Sequence, residues 1–135
     1  NETALLPSQV GAGISQVFPF VVAAMKSDTS IVSIEQPELH LHPAWQVELA
    51  DLMLTQTNQY SADKLFFVET HSEHMVLRLL RRVRESKVMP EHISIIYMNT
   101  DEKGSNPIKL DVTSDGDFAQ EWPNGFFDER DEELF

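Results

Sequence analysis

The sequence predicts an α/β fold built on a mostly parallel sheet. Three short apolar runs, at 31–35, 65–69 and 93–98, have the length and composition of buried strands. The first is apolar on both faces, as parallel strands between helix layers are. Longer segments with helical apolar spacing separate the three runs, and parallel strands need such helical crossovers. A further run, Ile108–Val112, follows a turn at 102–106 and predicts a C-terminal β-hairpin.

The predicted helices follow from apolar spacing and from breaker residues. The first spans 14–25, after a flexible Gly11–Gly13 loop, with Gly13 or Ser15 as its cap and Pro19 in its first turn. The second begins at Pro43, because proline suits the first helical position, and reaches about Thr57.

The third helix is predicted from a capping box. Thr70 and Glu73 have the Thr-x-x-Glu spacing of that motif, and the apolar residues behind them repeat with helical periodicity as far as Ser86. Pro90 then breaks the helix. The element order is therefore α, β, α, β, α, β, β.

Composition excludes several classes of protein. The 135 residues suffice for one domain with a core, and no cysteine is present, which fits a reducing compartment such as the cytoplasm. No apolar run approaches the roughly 20 residues of a membrane span. The formal charge is −12, and residues 111–135 hold nine acids against one base. This balance repels phosphate backbones, so direct nucleic-acid binding by the chain is not expected.

Polar residues follow two of the predicted strands. Glu35 and Gln36 end the first, and Glu69 and His71 end the second. Ligands of open α/β sheets bind at the carboxyl ends of strands, so the two groups should converge if the strands are neighbours. A carboxylate can then hold a magnesium ion or its water, and an imidazole can donate to a phosphate oxygen.

Other readings of the polar residues stay open. His40 and His42 have a spacing that can bind zinc, and together with Glu35 and the pair Asp115/Asp117 they suggest a metal-dependent hydrolase or nuclease. A loop between Pro37 and Pro43 explains the two histidines without a metal. A basic cluster on the third helix is explained either as a solvated helix face or as a patch for a partner or a phosphate. It comprises Arg78, Arg81, Arg82, Arg84 and Lys87.

Residues 35–43 resemble, without a gap, the Walker B and D-loop stretch of ABC-type ATPases. His71 looks like their switch histidine, and the segment 10–16, Val-Gly-Ala-Gly-Ile-Ser-Gln, looks like a degenerate signature motif. The Glu-x-Pro-Glu-x-His-Leu-His-Pro form is typical of predicted bacterial ATPases grouped with the AAA, OLD and SMC-like ABC proteins. The tail 122–128 resembles their C-terminal region of unknown function.

The resemblance implies a role for each matching residue. Glu35 would hold the water shell of Mg²⁺, Gln36 takes the place of the general base, and His71 would touch the γ-phosphate of ATP. The signature-like residues would bind the γ-phosphate of a nucleotide held by the opposite protomer, and residues 39–42 would cross the dimer interface as the D-loop. The residues implied in nucleotide binding are Gly11, Gly13, Ser15, Gln16 and His42.

The chain departs from the family pattern in two ways. It contains no Gly-x-x-x-x-Gly-Lys-Ser/Thr loop, so it resembles the C-terminal part of a three-layer P-loop NTPase-like domain and is expected to be inactive alone. Gln36 is an amide, which orients water but is no base. Alternatively Glu38, or Glu69 beside His71, supplies the acid–base function. The full-length protein is thus either a dimeric Mg-dependent ATPase or a non-hydrolytic ATP-dependent switch or scaffold.

The resemblance also implies an organisation and partners. Residues 1–100 would be the C-terminal half of a nucleotide-binding domain, and 101–135 a hairpin with an acidic, aromatic tail. The expected partners are ATP, a second copy, the missing N-terminal half with its Walker A loop, and an effector protein, with no membrane. Without that half, the strand 65–68 would have an unpaired edge that another segment must cover.

Overall fold

The computed structural model of the chain describes residues 11–26, 28, 30–59, 64–101 and 104–123. The chain forms two compact units, Asn1–Arg78 and Leu79–Phe135. In chain order the elements are α1 Ala12–Met25, β1 Ile31–Glu35, α2 Pro43–Gln59, β2 Leu65–Glu69, α3 Glu73–Arg84, a 3-10 turn Pro90–His92, β3 Ile95–Asp101 and β4 Gly104–Leu110. The predicted element order and the α/β class are confirmed. The predicted boundary between 100 and 101 stays a prediction.

The strands form two separate two-stranded sheets within the described residues. β1 and β2 are parallel, and β3 and β4 form the predicted antiparallel hairpin. A single mostly parallel sheet that includes β3 is therefore not observed in this part of the chain. The physical reason is local. Asp101 lies opposite Gly104, so only a very short connection separates β3 from β4. Closing such a short loop costs little conformational entropy, which favours the pairing of β3 with β4.

The core of the first unit lies on one face of the parallel sheet. Val32 of β1 is buried, and Phe20 of α1 contacts Phe66 of β2 edge to face with ring centroids 6.2 Å apart. Further buried side chains come from all three helices of the unit: Ala24, Leu49, Ala50, Met53 and Met75.

The other face of this sheet is apolar, and it is exposed in the part of the chain that the structure describes. Ile31 is 61% exposed, Leu65 is 50% exposed and Phe67 is 57% exposed. The prediction that β1 is buried on both faces is therefore wrong for the described residues, in which Val32 is buried, Ile34 is half-buried and the other side chains are exposed. The composition predicted burial on both faces, but the described residues cover only one.

The helix caps differ from those predicted. Gly11, with φ 95°, precedes α1 and provides no side-chain cap, while the Ser15 hydroxyl donates back to the Gly11 carbonyl. Because α1 begins at Ala12, Pro19 lies inside the helix and not in its first turn. Ser72, not Thr70, caps α3: the Met75 N–H donates to the Ser72 hydroxyl at 3.1 Å. Ser72 immediately precedes the first helical residue, which places its oxygen within reach of that N–H.

A buried lysine closes the other end of α1. The Lys64 side chain is 7% exposed, and its ammonium donates to the carbonyls of Ala24 at 2.5 Å and Lys26 at 2.7 Å. Carbonyls at a helix C-terminus lack intrahelical partners and carry partial negative charge, so a cation stabilises them. Sequence reasoning missed this contact, because no local pattern links two residues 40 positions apart.

The second unit packs around the end of α3. Leu80, Val83, Val88 and Leu110 are buried. The loop 113–118 closes on the helix through Arg84, whose guanidinium donates to the carbonyls of Asp115 and Gly116, both at 3.1 Å. Asp115 and Asp117 therefore belong to a turn.

Aromatic rings continue this packing to the end of the described residues. Trp122 contacts Tyr97 and Phe118, with centroids 5.9 and 4.9 Å away. The acidic stretch 128–133 lies outside the described residues.

The basic cluster on α3 is occupied by ion pairs. Glu85 accepts hydrogen bonds from Arg81 at 2.8 Å and Arg82 at 2.6 Å, and Lys87 lies 3.2 Å away. These cations, Arg81 first, lower the pKa of Glu85 from 4.5 to about 2. The ionised Glu85 and its three cations therefore contribute to the stability of the fold above pH 4.5. This contribution is lost as the pH falls towards 2. Arg81 and Lys87, with side chains 63% and 62% exposed, fit the interpretation as a solvated helix face. Arg78 does not, because its side chain is only 18% exposed and pairs with Asp51 at 3.1 Å.

Ser86 follows the end of α3 in a strained backbone conformation, with φ 55°. The Lys87 N–H donates to the Arg82 carbonyl and the Ser86 N–H to the Val83 carbonyl, at 2.9 and 2.8 Å, which is a Schellman motif. This position favours glycine, since a residue with a side chain loses roughly 1–2 kcal/mol when its backbone adopts the left-handed conformation. We expect Ser86→Gly to raise the free energy of unfolding by about 0.5–1 kcal/mol, measured by urea denaturation.

Ser114→Gly is the matched control for that substitution. Ser114 is also exposed and belongs to the same unit, but its φ is not in the left-handed region. Glycine there adds freedom only to the unfolded chain, so this variant should be no more stable than the parent. Equal gains in the two variants would contradict the backbone argument.

Candidate functional site

The register of β1 and β2 brings the predicted polar ends together. Glu35 lies directly opposite Glu69, and the Gln36 N–H donates to the Glu69 carbonyl at 2.7 Å. Both carboxylates are exposed. The convergence of the two strand ends, expected from the sequence, is confirmed, and it sets an acidic edge beside the turn that carries His71.

The loop 36–42 after β1 has an unusual backbone. Gln36 has φ 46° and His40 has φ 60°, and both bear side chains. Non-glycine residues in this region are strained and tend to occur at functional sites. Two turn hydrogen bonds, from the N–H of Leu39 to the carbonyl of Gln36 and from Leu41 to Glu38, hold the loop in this form.

Two side chains connect this loop to the turn 70–72. The Glu38 carboxylate accepts the His71 N–H at 2.6 Å. The Gln46 amide donates to the Leu41 carbonyl at 3.0 Å and accepts from the Ser72 hydroxyl at 2.6 Å. The sequence suggests Glu38 only as an alternative acid–base group and indicates no role for Gln46. The position of Glu38, one residue after Pro37 in the loop, is the only local signal that could have indicated its contact with His71.

The start of α1 lies against the same loop. A Cβ atom placed on Gly13 would lie 2.5 Å from the His40 carbonyl oxygen and 3.0 Å from a Leu41 methyl carbon. No side chain fits there without a shift of the loop backbone. Gly13 is therefore required by close approach, and the signature-like segment contacts the predicted D-loop within one chain.

A groove of about 520 Å³ runs between α1, the loop and α2. Trp45, 64% exposed, stands at its side, and the Nδ1 atom of His42 accepts the Ala44 N–H at 3.2 Å, which caps α2. The lining residues are Gly11, Ala12, Gly13, Ile14, Val17, Val21, His40, Leu41, His42, Trp45, Glu48, Leu49 and Leu52.

The predicted site residues thus fall into two groups. Glu35, Gln36 and His71 lie at the strand ends, and His71 is exposed. Gly11, Gly13 and His42 line the groove. Ser15 is half-buried and Gln16 exposed, and neither lines it. The roles in catalysis and nucleotide binding stay predictions.

The metal-hydrolase alternative gains no support from the geometry. Within the described ranges, no group of three or more histidine, aspartate or glutamate side chains is placed to hold a metal ion. His42 is instead engaged at the start of α2. None of the helices in the same ranges is long and apolar enough to cross a membrane.

Comparison with known families supplies the decisive observation. Residues 1–76, more than half of the chain, match the family described as "AAA domain, putative AbiEii toxin, Type IV TA system". The chain belongs to this family. Membership supports a nucleotide-binding, ATPase-like function for this AAA domain.

The C-terminal part of the chain matches a second family. Residues 88–135 match the family described as "Protein of unknown function (DUF3696)", which confirms the predicted C-terminal region of that kind. No curated protein and no solved structure matches the chain significantly. The site is therefore interpreted from its own geometry.

Proposed function

We propose that the chain is the C-terminal half of the nucleotide-binding domain of a dimerising, Mg-dependent ABC-type ATPase. The observation that carries the proposal is the juxtaposition of Glu35, Gln36 and the His71 turn at the carboxyl ends of two paired parallel strands. Ligands of α/β sheets bind at such an edge. A segment outside these 135 residues supplies the lysine-bearing phosphate loop.

Each side chain is suited to one task at this edge. Mg²⁺ keeps most of its waters and takes one or two protein carboxylates besides phosphate oxygens, so the exposed Glu35 suffices as the protein's contribution. The bound ion would neutralise phosphate charge. The His71 imidazole donates to the γ-phosphate, and the free N–H groups at the start of α1 receive the γ-phosphate of the second protomer's nucleotide. Gly11, Gly13, Ser15, Gln16 and His42 form that second surface.

Gln36 favours a second candidate function, a non-hydrolytic ATP-dependent switch or scaffold. An amide accepts a hydrogen bond from water but takes no proton at neutral pH. The protein then hydrolyses ATP slowly and works as a long-lived clamp that signals to an effector. Both candidates use the same binding geometry and differ only in turnover.

The exposed apolar face of the parallel sheet supports the proposal that an N-terminal half of the domain packs on it. Ile31, Leu65 and Phe67 form an exposed apolar patch, and such side chains need cover. We propose that the N-terminal half, with its Walker A strand, covers this face and pairs with the open edge of β2. The assembled protein works in the cytoplasm as a homodimer.

The test compares ATP with ADP on the full-length protein. His71→Ala should weaken ATP binding about 10–100-fold, since a hydrogen bond to a charged group contributes roughly 1.5–3 kcal/mol. It should leave ADP binding unchanged, because ADP has no γ-phosphate. Isothermal titration calorimetry with Mg²⁺ present gives both affinities.

His74→Ala is the control for that measurement. His74 is also exposed, but it belongs to the first turn of α3, away from the strand end. It should change neither affinity. A full-length protein that binds no ATP, or an equal loss of ATP and ADP affinity in His71→Ala, would contradict the proposed function.

A further inference from the structure

We propose that Glu38 and Gln46 are positioning residues that join the loop 36–42 and the turn 70–72 into one mechanical unit. The inference rests on the proposed function, because it concerns how the phosphate contact at His71 is linked to the rest of the site. It assigns Glu38 a role other than acid–base chemistry.

Glu38 makes the first connection. One carboxylate oxygen accepts the His71 N–H at 2.6 Å, a short charge-assisted hydrogen bond across 33 residues of sequence. The other oxygen is buried and finds no donor within the described residues. A general base must reach a water molecule beside the phosphate. A carboxylate with one oxygen bonded to the backbone and the other shielded from solvent does not meet that condition.

Gln46 makes the second connection, independent of the first. Its amide uses both polar atoms, with the nitrogen donating to the Leu41 carbonyl and the oxygen accepting from Ser72. Ser72 also accepts the Met75 N–H and so fixes where α3 begins. The start of α3, the turn before it and the far end of the loop are therefore connected through a single amide.

The loop in turn sets the wall of the groove. His40 and Leu41 line it, and the His40 carbonyl lies where a Gly13 side chain would be. A displacement of His71 by a phosphate is transmitted through Glu38 to the loop and from there to the contact with α1. The state of the phosphate site and the shape of the groove are thus coupled.

The first test is hydrogen exchange of the full-length protein without nucleotide. Glu38→Ala should raise exchange of the His71 amide about tenfold or more, because its acceptor is lost. Glu38→Gln should keep most of the protection, since the amide oxygen still accepts. Glu48→Ala is the control, because Glu48 lines the groove on α2 and is not part of either connection.

The second test combines the two connections. Either single variant, Glu38→Ala or Gln46→Ala, leaves the other connection in place. The double variant should therefore raise exchange in the loop 36–42 by more than the product of the two single effects. Simple multiplication of the single effects would overturn the proposal of one joined unit. If Glu38→Ala does not fold, hydrogen exchange at the turn 70–72 is measured instead on the variants Gln46→Ala and Ser72→Ala.

The third measurement separates positioning from acid–base catalysis. Glu38→Ala should lower ATP turnover, and Glu38→Gln should largely restore it. A general base would instead lose about 10²–10⁴-fold in rate in the glutamine variant as well, and that result would overturn the positioning role. If exchange responds as expected but the protein binds no nucleotide, the connection stands and the proposed function fails.

Discussion

Gln36→Glu is expected to raise the rate of ATP hydrolysis by the full-length protein about 10²–10⁴-fold, the usual contribution of a positioned general base. Gln36 directly follows β1, and its backbone is fixed to the end of β2 by the hydrogen bond to Glu69. A carboxylate at this position, beside Glu35, takes a proton from the attacking water, whereas the amide only orients it. Phosphate release at saturating Mg-ATP measures the change.

The control combines Gln36→Glu with a substitution that removes the proposed magnesium contact. Glu35→Gln removes the proposed contact to the Mg²⁺ shell, so the double variant with Gln36→Glu should remain slow. The affinity for ATP should change little in Gln36→Glu alone, because the substitution acts on the transition state. If Gln36→Glu does not raise the rate, the idea of a slow clamp is wrong.

Gly116→Ala is expected to destabilise the C-terminal unit by about 2–5 kcal/mol, the sum of a left-handed backbone penalty and a steric one. Gly116 has φ +67°, and a Cβ atom there would meet the Leu80 carbonyl oxygen and lie 2.8 Å from the Arg84 nitrogen. Both neighbours are helix backbone, which cannot yield as a flexible side chain can. Chemical denaturation followed by tryptophan fluorescence measures the loss, since Trp122 belongs to this unit.

Gly104→Ala separates the two causes. Gly104 also has a positive φ, +128°, but nothing lies within 4 Å of a Cβ atom placed on it. Gly104→Ala should therefore lower the free energy of unfolding by less than Gly116→Ala does. The backbone conformation at Gly104 is nevertheless no more favourable for a residue with a side chain. Equal losses would mean that backbone strain alone determines the effect and that the close approach of the loop to α3 contributes nothing.

Much of the fold could be predicted because its signals are local. The bounds of β1 and β2 follow from short apolar runs that end in acids, and Pro43 marks the start of α2. The strands of the hairpin were predicted with shifted ends. Pro90 begins a 3-10 turn that delays β3 to Ile95, and the pairing of Asp101 with Gly104 brings β4 forward.

The incorrect predictions concern a helix cap and the burial of a strand. Thr70 has the spacing of a capping box, but its hydroxyl accepts the Ser72 N–H at 3.0 Å, and Ser72 caps the helix instead. Periodicity does not distinguish two hydroxyl residues that lie two positions apart. Likewise an apolar strand such as β2 does not reveal which segment covers its second face, since that depends on parts of the protein far away in sequence or outside it.

The sequence by itself determined the order of elements, the acids and histidine that end two strands, the absence of a phosphate loop and the amide at position 36. Only the tertiary structure showed that Glu35 lies opposite Glu69, that Gly13 touches the His40 carbonyl, and that Glu38 holds the His71 amide. The physical reason is the range of the interactions. Periodicity, caps and breakers act within a few residues, whereas register, close approach and the hydrogen bonds of the site join segments tens of residues apart.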